Sequence, residues 1–126
     1  MNIPAQFKYT KDHEWLKVEG ETGIVGITEF AQGELGDIVF IEVETVGENL
    51  KKEETFGTIE AVKTVSDMFM PVTGEILESN SMLESNPEIV NKDPYGDGWI
   101  IKIRISDLTE INDLLSAEQY KELIGS

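Results

Sequence analysis

Phe56-Gly57-Thr58-Ile59-Glu60-Ala61-Val62-Lys63-Thr64-Val65-Ser66-Asp67-Met68-Phe69-Met70 decides how this chain reads. Two β-prone runs, Phe56 to Val62 and Thr64 to Met70, meet at Lys63. Closed into a hairpin, they hold the lysine ammonium out at the tip. An amine in that position suits a prosthetic-group carrier, because an attachment enzyme grips the turn and the added arm then swings free. The tip, Val62-Lys63, has none of the Asn-Gly or Gly-rich chemistry that two-residue hairpin turns prefer. Alternation is also broken by the adjacent apolar pairs around Ala61-Val62 and Met68-Phe69. On these residues alone, an exposed lysine on an ordinary strand is the competing reading.

The flanking sequence supplies many short strands. Trp15-Leu16-Lys17-Val18 alternates, and Gly23-Ile24-Val25-Gly26-Ile27 resumes after a turn at Glu19-Gly20-Glu21. Thr28 caps a predicted short helix, Glu29 to Leu35, which Gly36 closes as a left-handed stop. Asp37 to Val43 is a predicted strand with Val39, Ile41 and Val43 on one face. Glu75 to Glu78 is another. Asn80 to Gly98 is loop and short helix, broken by Pro87, Pro94, Gly96 and Gly98. Trp99 to Ile105 is the last strand, with Trp99, Ile101, Ile103 and Ile105 sharing a face. Ser116-Ala117-Glu118-Gln119 has the capping-box pattern for a C-terminal helix ending at Gly125. Leu114, Leu115, Tyr120, Leu123 and Ile124 are its predicted contacts with the sheet. Closely spaced turn signals favour a small sandwich or barrel, in a single domain over residues 1–126.

Composition narrows the chemistry. The 126 residues include no cysteine, so disulfides, thiolate metal sites and cysteine nucleophiles are excluded. Any sulfur chemistry must come from a non-protein group. A net charge of -15 disfavours nucleic acid and anionic membranes, and favours a basic docking surface on a partner. With neither a signal-peptide pattern nor an apolar run long enough to span a bilayer, the cytoplasm is the expected location. His13-Glu14 begins like a zinc-protease motif, but Lys17 stands where the second histidine belongs. His13 is the only histidine. Asp93-Pro94-Tyr95-Gly96-Asp97-Gly98 fails the calcium-loop count and reads as a turn into the last strand. Asp12 and Glu14 are a carboxylate pair with no cleft marked around them.

Five blocks in order resemble the glycine cleavage H-protein family. They are Tyr9-Thr10-Lys11-Asp12-His13-Glu14-Trp15; Gly26 to Gln32 with Leu35 to Phe40; Glu60 to Asp67 around the lysine; Pro71 to Ile76; and Asn86 to Trp99. The similarity runs from about Phe7 to Tyr120. It implies a mostly β, lipoyl/biotinyl-type barrel-sandwich hybrid with a core at about 22–105 and a helical extension at about 106–126. Lipoate would be attached to Lys63 by a lipoate ligase or a lipoyl/octanoyl transferase. The chain would then carry the aminomethyl group of glycine from glycine decarboxylase (P-protein) to aminomethyltransferase (T-protein). Dihydrolipoamide dehydrogenase (L-protein) would reoxidise the arm. Such a carrier is not itself an enzyme, and visiting several partners suits a monomer.

From Cα to the far sulfur the arm spans about twelve bonds, a reach of roughly 15 Å at ~1.25 Å per bond. Glu14 is the first candidate for holding the aminomethyl ammonium. Glu34 stands where some relatives have a histidine, and is a candidate arm contact. Glu60 and Asp67 flank the turn as candidate recognition residues. Ala61 replaces the family's common serine. Alternative readings are a lipoyl donor for other lipoyl domains, a biotin carrier (disfavoured because Val62 and Thr64 stand where methionines usually flank the lysine), and an unmodified acidic binding module.

Overall fold

In the computed structural model, which describes residues 1–125, the chain forms two antiparallel sheets and short helices. Its strands are β1 (Lys8–Tyr9), β2 (Glu14–Glu19), β3 (Thr22–Ile27), β4 (Ile38–Glu42), β5 (Asn49–Leu50), β6 (Thr55–Ala61), β7 (Val65–Phe69), β8 (Gly74–Ser79) and β9 (Ile101–Ile105). The helices are α1 (Glu29–Leu35), α2 (Met82–Ser85), α3 (Ile89–Lys92) and α4 (Ala117–Ile124), with a 3-10 helix at Leu108–Asp113. One sheet runs β1-β2-β3-β9-β8-β5 and the other β4-β6-β7. The fold is mostly β with short helices, as expected, and the two sheets are not closed into a barrel.

The main core draws on both sheets, with Leu16, Val25, Phe56, Ile59, Met68, Ile76, Ile101 and Ile103 all buried. A second cluster, including Phe7, Tyr9, Trp15, Ala117 and Tyr120, covers the other face of the larger sheet. Two covered faces explain why β2 buries Glu14, Trp15 and Leu16 consecutively rather than alternating. The indole of Trp15 stacks on Phe7 with centroids 4.8 Å apart. Its Nε1 donates to the carbonyls of Ile27 and Pro94 at 3.1 and 3.0 Å. Gly26 pairs with Trp15 across β2 and β3. A Cβ there would meet the indole at 2.7 Å, so the ring occupies the space a side chain would need.

Local signals place most elements. Thr28 Oγ1 accepts from the Ala31 N–H and caps α1. Ser116 and Gln119 form the expected capping box at α4, and Gly125 ends that helix in the left-handed region. Gly36 has the required positive φ of 84°, but its ψ of -153° is extended rather than left-handed helical.

Three side-chain assignments are corrected. A register shift between Ile38 and Phe40 breaks alternation in β4. Ile38 is buried and Ile41 and Val43 pack on the core, while Val39 is left 46% exposed. Trp99 precedes β9 and packs with the second cluster, on the face opposite Ile101. Lys102 Nζ lies 5.1 Å from its ring centroid. On α4, Leu123 points outward, while Tyr120 is fully buried and Leu115 and Ile124 pack beside it.

Candidate functional site

β6 and β7 form the hairpin, in register from Thr55↔Phe69 to Glu60↔Val65. The Ala61 N–H donates to the Thr64 carbonyl at 2.8 Å, leaving Val62-Lys63 as a two-residue tip. Neither tip residue has positive φ, so the turn is not the Asn-Gly type whose signature is missing. An outside contact holds it instead: the Val62 N–H donates to the Asp37 carbonyl at 3.0 Å, next to β4. The lysine is exposed, and none of the ion pairs among the described residues includes it. Its stem lies along the end of α1, with Cε and Nζ 3.5 and 4.0 Å from where a Gly36 side chain would begin.

Below the tip lies a cleft of about 140 Å³. Asp12, His13 and Glu14 line it from the turn into β2, Ala31, Glu34 and Leu35 from α1, and Ser66, Asp67 and Met68 from β7. Ile27 and Ile59 complete an apolar floor. Four of the lining residues are carboxylic acids, and no lysine or arginine joins them. The carboxylate pair Asp12 and Glu14, for which no cleft was expected, therefore belongs to one. Glu14, Glu34 and Asp67, far apart in sequence, meet in it. Glu60 does not: it lies between Phe40 and Val65 in the cross-strand register, on the hairpin's outer face. All three are exposed.

Glu14 is only 2% exposed. One carboxyl oxygen accepts from the Thr10 hydroxyl at 2.7 Å, and the other from the Phe69 N–H at 3.2 Å. Burial pushes its pKa up to about 8, against the opposing pull of the Thr10 and Phe69 hydrogen bonds. The preceding His13 is held at φ 70°, a rare conformation for a non-glycine residue. Its backbone N–H donates to the Thr10 carbonyl, and its carbonyl accepts from the Thr28 N–H. This backbone lock sets the imidazole between Phe30 and Tyr120, with ring centroids 4.9 and 5.8 Å away. Sequence reasoning gave His13, Thr28 and Tyr120 no part in the site. The unusual φ and the hydroxyl contacts emerge only once the chain is folded.

A mobile arm needs an accessible attachment point and a sheltered place to lie. An exposed lysine at the hairpin tip above an acidic cleft is the geometry of a carrier-type domain. Residues 7–126 match the family described as "Glycine cleavage H-protein". The glycine cleavage system H protein of Bacteroides thetaiotaomicron is 59% identical over 125 residues, covering 99% of both chains. That of Staphylococcus haemolyticus is 54% identical over 125 residues, again covering 99% of each. A crystal structure of a glycine cleavage system H protein from Mycobacterium marinum superposes with a TM-score of 0.90. It is 36% identical and covers 98% of this chain and 100% of that one. The chain belongs to the glycine cleavage H-protein family, and the family supports a lipoyl carrier role in the glycine cleavage system.

Proposed function

We propose that Lys63 carries lipoate in amide linkage, and that the chain shuttles the aminomethyl group of glycine from glycine decarboxylase to aminomethyltransferase, with dihydrolipoamide dehydrogenase restoring the arm. Lipoate supplies a disulfide–dithiol couple on a flexible tether, which a chain without cysteine cannot provide itself. The observation that carries this reading is the position of Lys63, exposed at a hairpin tip above an acidic cleft.

Asp67 lies four residues along β7 from the lysine, roughly 13 Å at ~3.3 Å per residue. That is within the arm's reach of roughly 15 Å. Ile27, Ala31, Leu35, Ile59 and Met68 offer the hydrocarbon an apolar bed, and the carboxylic acids favour a cation at its end. Glu14 lies further on, beside Phe69, six residues from the lysine or roughly 20 Å at ~3.3 Å per residue, at the limit of the ~15 Å arm once an aminomethyl group and a hydrogen bond extend it. An ammonium there favours the ionised carboxylate and completes a charge-assisted hydrogen bond. Glu34 and Asp67 add negative charge along the walls. These walls would shield a loaded arm from water.

The outer row of Phe40, Glu60 and Val65, with Val62 at the tip, is what a lipoate ligase or lipoyl/octanoyl transferase grips. Val62 and Val65 are 75% and 62% exposed, a large apolar area beside a modifiable amine. No helix among the described residues is long and apolar enough to cross a membrane. We place the protein with these enzymes in the cytoplasm.

The test is intact mass and peptide mapping after incubation with a lipoate ligase, lipoate and ATP. One lipoyl increment on the Lys63 peptide is expected, followed by activity with the partner enzymes. An unmodified chain, or an increment on another lysine, overturns the assignment.

A further inference from the structure

Behind the cleft, Thr28, Tyr120 and His13 form a chain of hydrogen bonds. Tyr120 Oη lies 2.7 Å from Thr28 Oγ1 and 2.9 Å from His13 Nδ1. Thr28 and Tyr120 are completely buried, so water does not compete for these atoms. The tyrosine ring is fixed by stacking on Tyr9, with centroids 4.8 Å apart and planes within 11°.

Each hydroxyl has one proton to donate, and a neutral imidazole has one N–H and one bare nitrogen. Two directions are available to the chain. In the first, the Thr28 hydroxyl donates to Tyr120, and Tyr120 donates to a bare His13 Nδ1. Both hydroxyl protons then have acceptors, and the imidazole proton sits on Nε2 of a half-buried ring. In the second, His13 Nδ1–H donates to Tyr120, and Tyr120 donates to Thr28. Thr28 Oγ1 also accepts from the Ala31 N–H, and it has no further partner among the described residues. Its own proton is therefore stranded in a buried place, which is strongly unfavourable. Protonating His13 makes Nδ1 a donor to Tyr120, so one of the two hydroxyl protons is stranded whichever way the Thr28–Tyr120 pair turns.

We propose that the Thr28–Tyr120–His13 relay holds His13 as the neutral, Nε2–H tautomer, making Tyr120 a positioning residue that sets the charge of the cleft wall. The titratable groups lining the cleft with His13 are Asp12 and Glu14 on its own turn, Glu34 on α1 and Asp67 on β7, and Tyr120 meets it from α4. An imidazolium among them would offset their charge and repel a bound ammonium; a neutral ring does not. Burial lowers the pKa of His13, with Asp12 and Glu34 pulling the other way. The C-terminal helix thereby acts on a cleft that α4 itself does not line. The consequence for the loaded arm rests on the carrier reading of Lys63, whereas the tautomer does not.

A single histidine makes the test direct. In ¹⁵N-labelled, unlipoylated protein, long-range ¹H–¹⁵N correlations give one pair of ring-nitrogen signals. At neutral pH the wild type is expected to show protonated Nε2 and bare Nδ1. Tyr120→Phe keeps the ring stacked on Tyr9 but removes the relay, so the single tautomer is lost and the imidazole titrates at higher pH. Thr28→Ser, which keeps the hydroxyl, retains the wild-type pattern. A wild-type Nδ1–H tautomer overturns the proposal without any variant. So does an unchanged tautomer and titration in a Tyr120→Phe protein whose amide spectrum shows the native fold. Failure of Lys63 to accept lipoate sinks the carrier reading alone and leaves these signals as they are.

Discussion

The tip of the lysine hairpin and the cleft at its foot share β6 and β7 but obey opposite rules. At the tip, Val62 and Lys63 are exposed, and one backbone hydrogen bond to the Asp37 carbonyl holds the turn from outside. At the foot, a carboxyl that is 2% exposed is tied to Thr10 and to the Phe69 backbone, beside a histidine at φ 70°. On the proposed lipoyl-Lys63 reading, the contrast separates two needs of a carrier. Attachment requires a surface that another protein can grip, while storage requires polar groups organised before the cargo arrives. Substitutions at the tip should therefore alter chemistry with little effect on folding, and substitutions at the foot should register first as stability.

Lys63→Arg is the most severe case on the tip side. It keeps the charge and the fold but removes the acylatable amine. Lipoylation and carrier turnover should be lost entirely, with unfolding free energy within about 0.5 kcal/mol of wild type. Mass spectrometry and a denaturant titration check both halves. Glycine decarboxylation by this variant with its partner enzymes would remove Lys63 from the mechanism.

Glu14→Gln is the counterpart at the foot. The folded carboxyl titrates at about 8, against 4.5 when unrestrained, so it binds its proton more tightly folded than unfolded. Its contribution to stability is thus complete below pH 4.5 and is lost as pH rises through 8. The full swing corresponds to about 5 kcal/mol at ~1.36 kcal/mol per pKa unit. Glu14→Gln should match wild type at acid pH, then become progressively more stable than it toward pH 8.5, because glutamine never ionises. Parallel stability curves for the two proteins across this range would show that Glu14 is not buried neutral.

Gly57 tests the foot without touching a charge. A Cβ there would stand 2.5 Å from the Glu42 carbonyl oxygen of β4 and 3.3 Å from the Met68 methyl. Backbone does not yield as a flexible side chain does, so Gly57→Ala should destabilise by about 2 kcal/mol. Its lipoylation rate should stay near wild type wherever the protein is folded.

The two regions also differed in how far they could be read before folding. The lysine and its flanking runs are contiguous, and helix caps such as Thr28 and Ser116 act within three residues, so local chemistry announces them. The cleft is assembled from positions 12–14, 27–35, 59 and 66–68, which only the sheet topology brings together. Resemblance pointed to Glu14, Glu34 and Asp67 one at a time, and nothing in the sequence said that they share a wall with His13. The misplacements of Val39 and Trp99 have a related origin. Alternation assumes an unbroken strand, whereas a register shift follows Ile38, and Trp99 lies before β9 begins. An exposed Leu123 on an otherwise packed helix shows the limit of naming every apolar residue as a contact.

The smallest predicted effect concerns the outer face of the hairpin. Phe40 is 49% exposed, opposite Glu60 and one strand from Val65. If the attachment enzyme covers this row, Phe40→Ser withdraws apolar area worth about 1 kcal/mol in the complex. That corresponds to roughly a five-fold rise in KM for lipoylation, with kcat unchanged. Stability should fall by less than about 1 kcal/mol, because the exposed half of the ring contributes little to the fold. Steady-state lipoylation and thermal unfolding of the same preparation distinguish the outcomes. A stability loss as large as that of Gly57→Ala, with KM unmoved, would mean that this row belongs to the packed foot rather than the gripped tip. The boundary between the two regions would then have to be drawn closer to Val62 and Lys63.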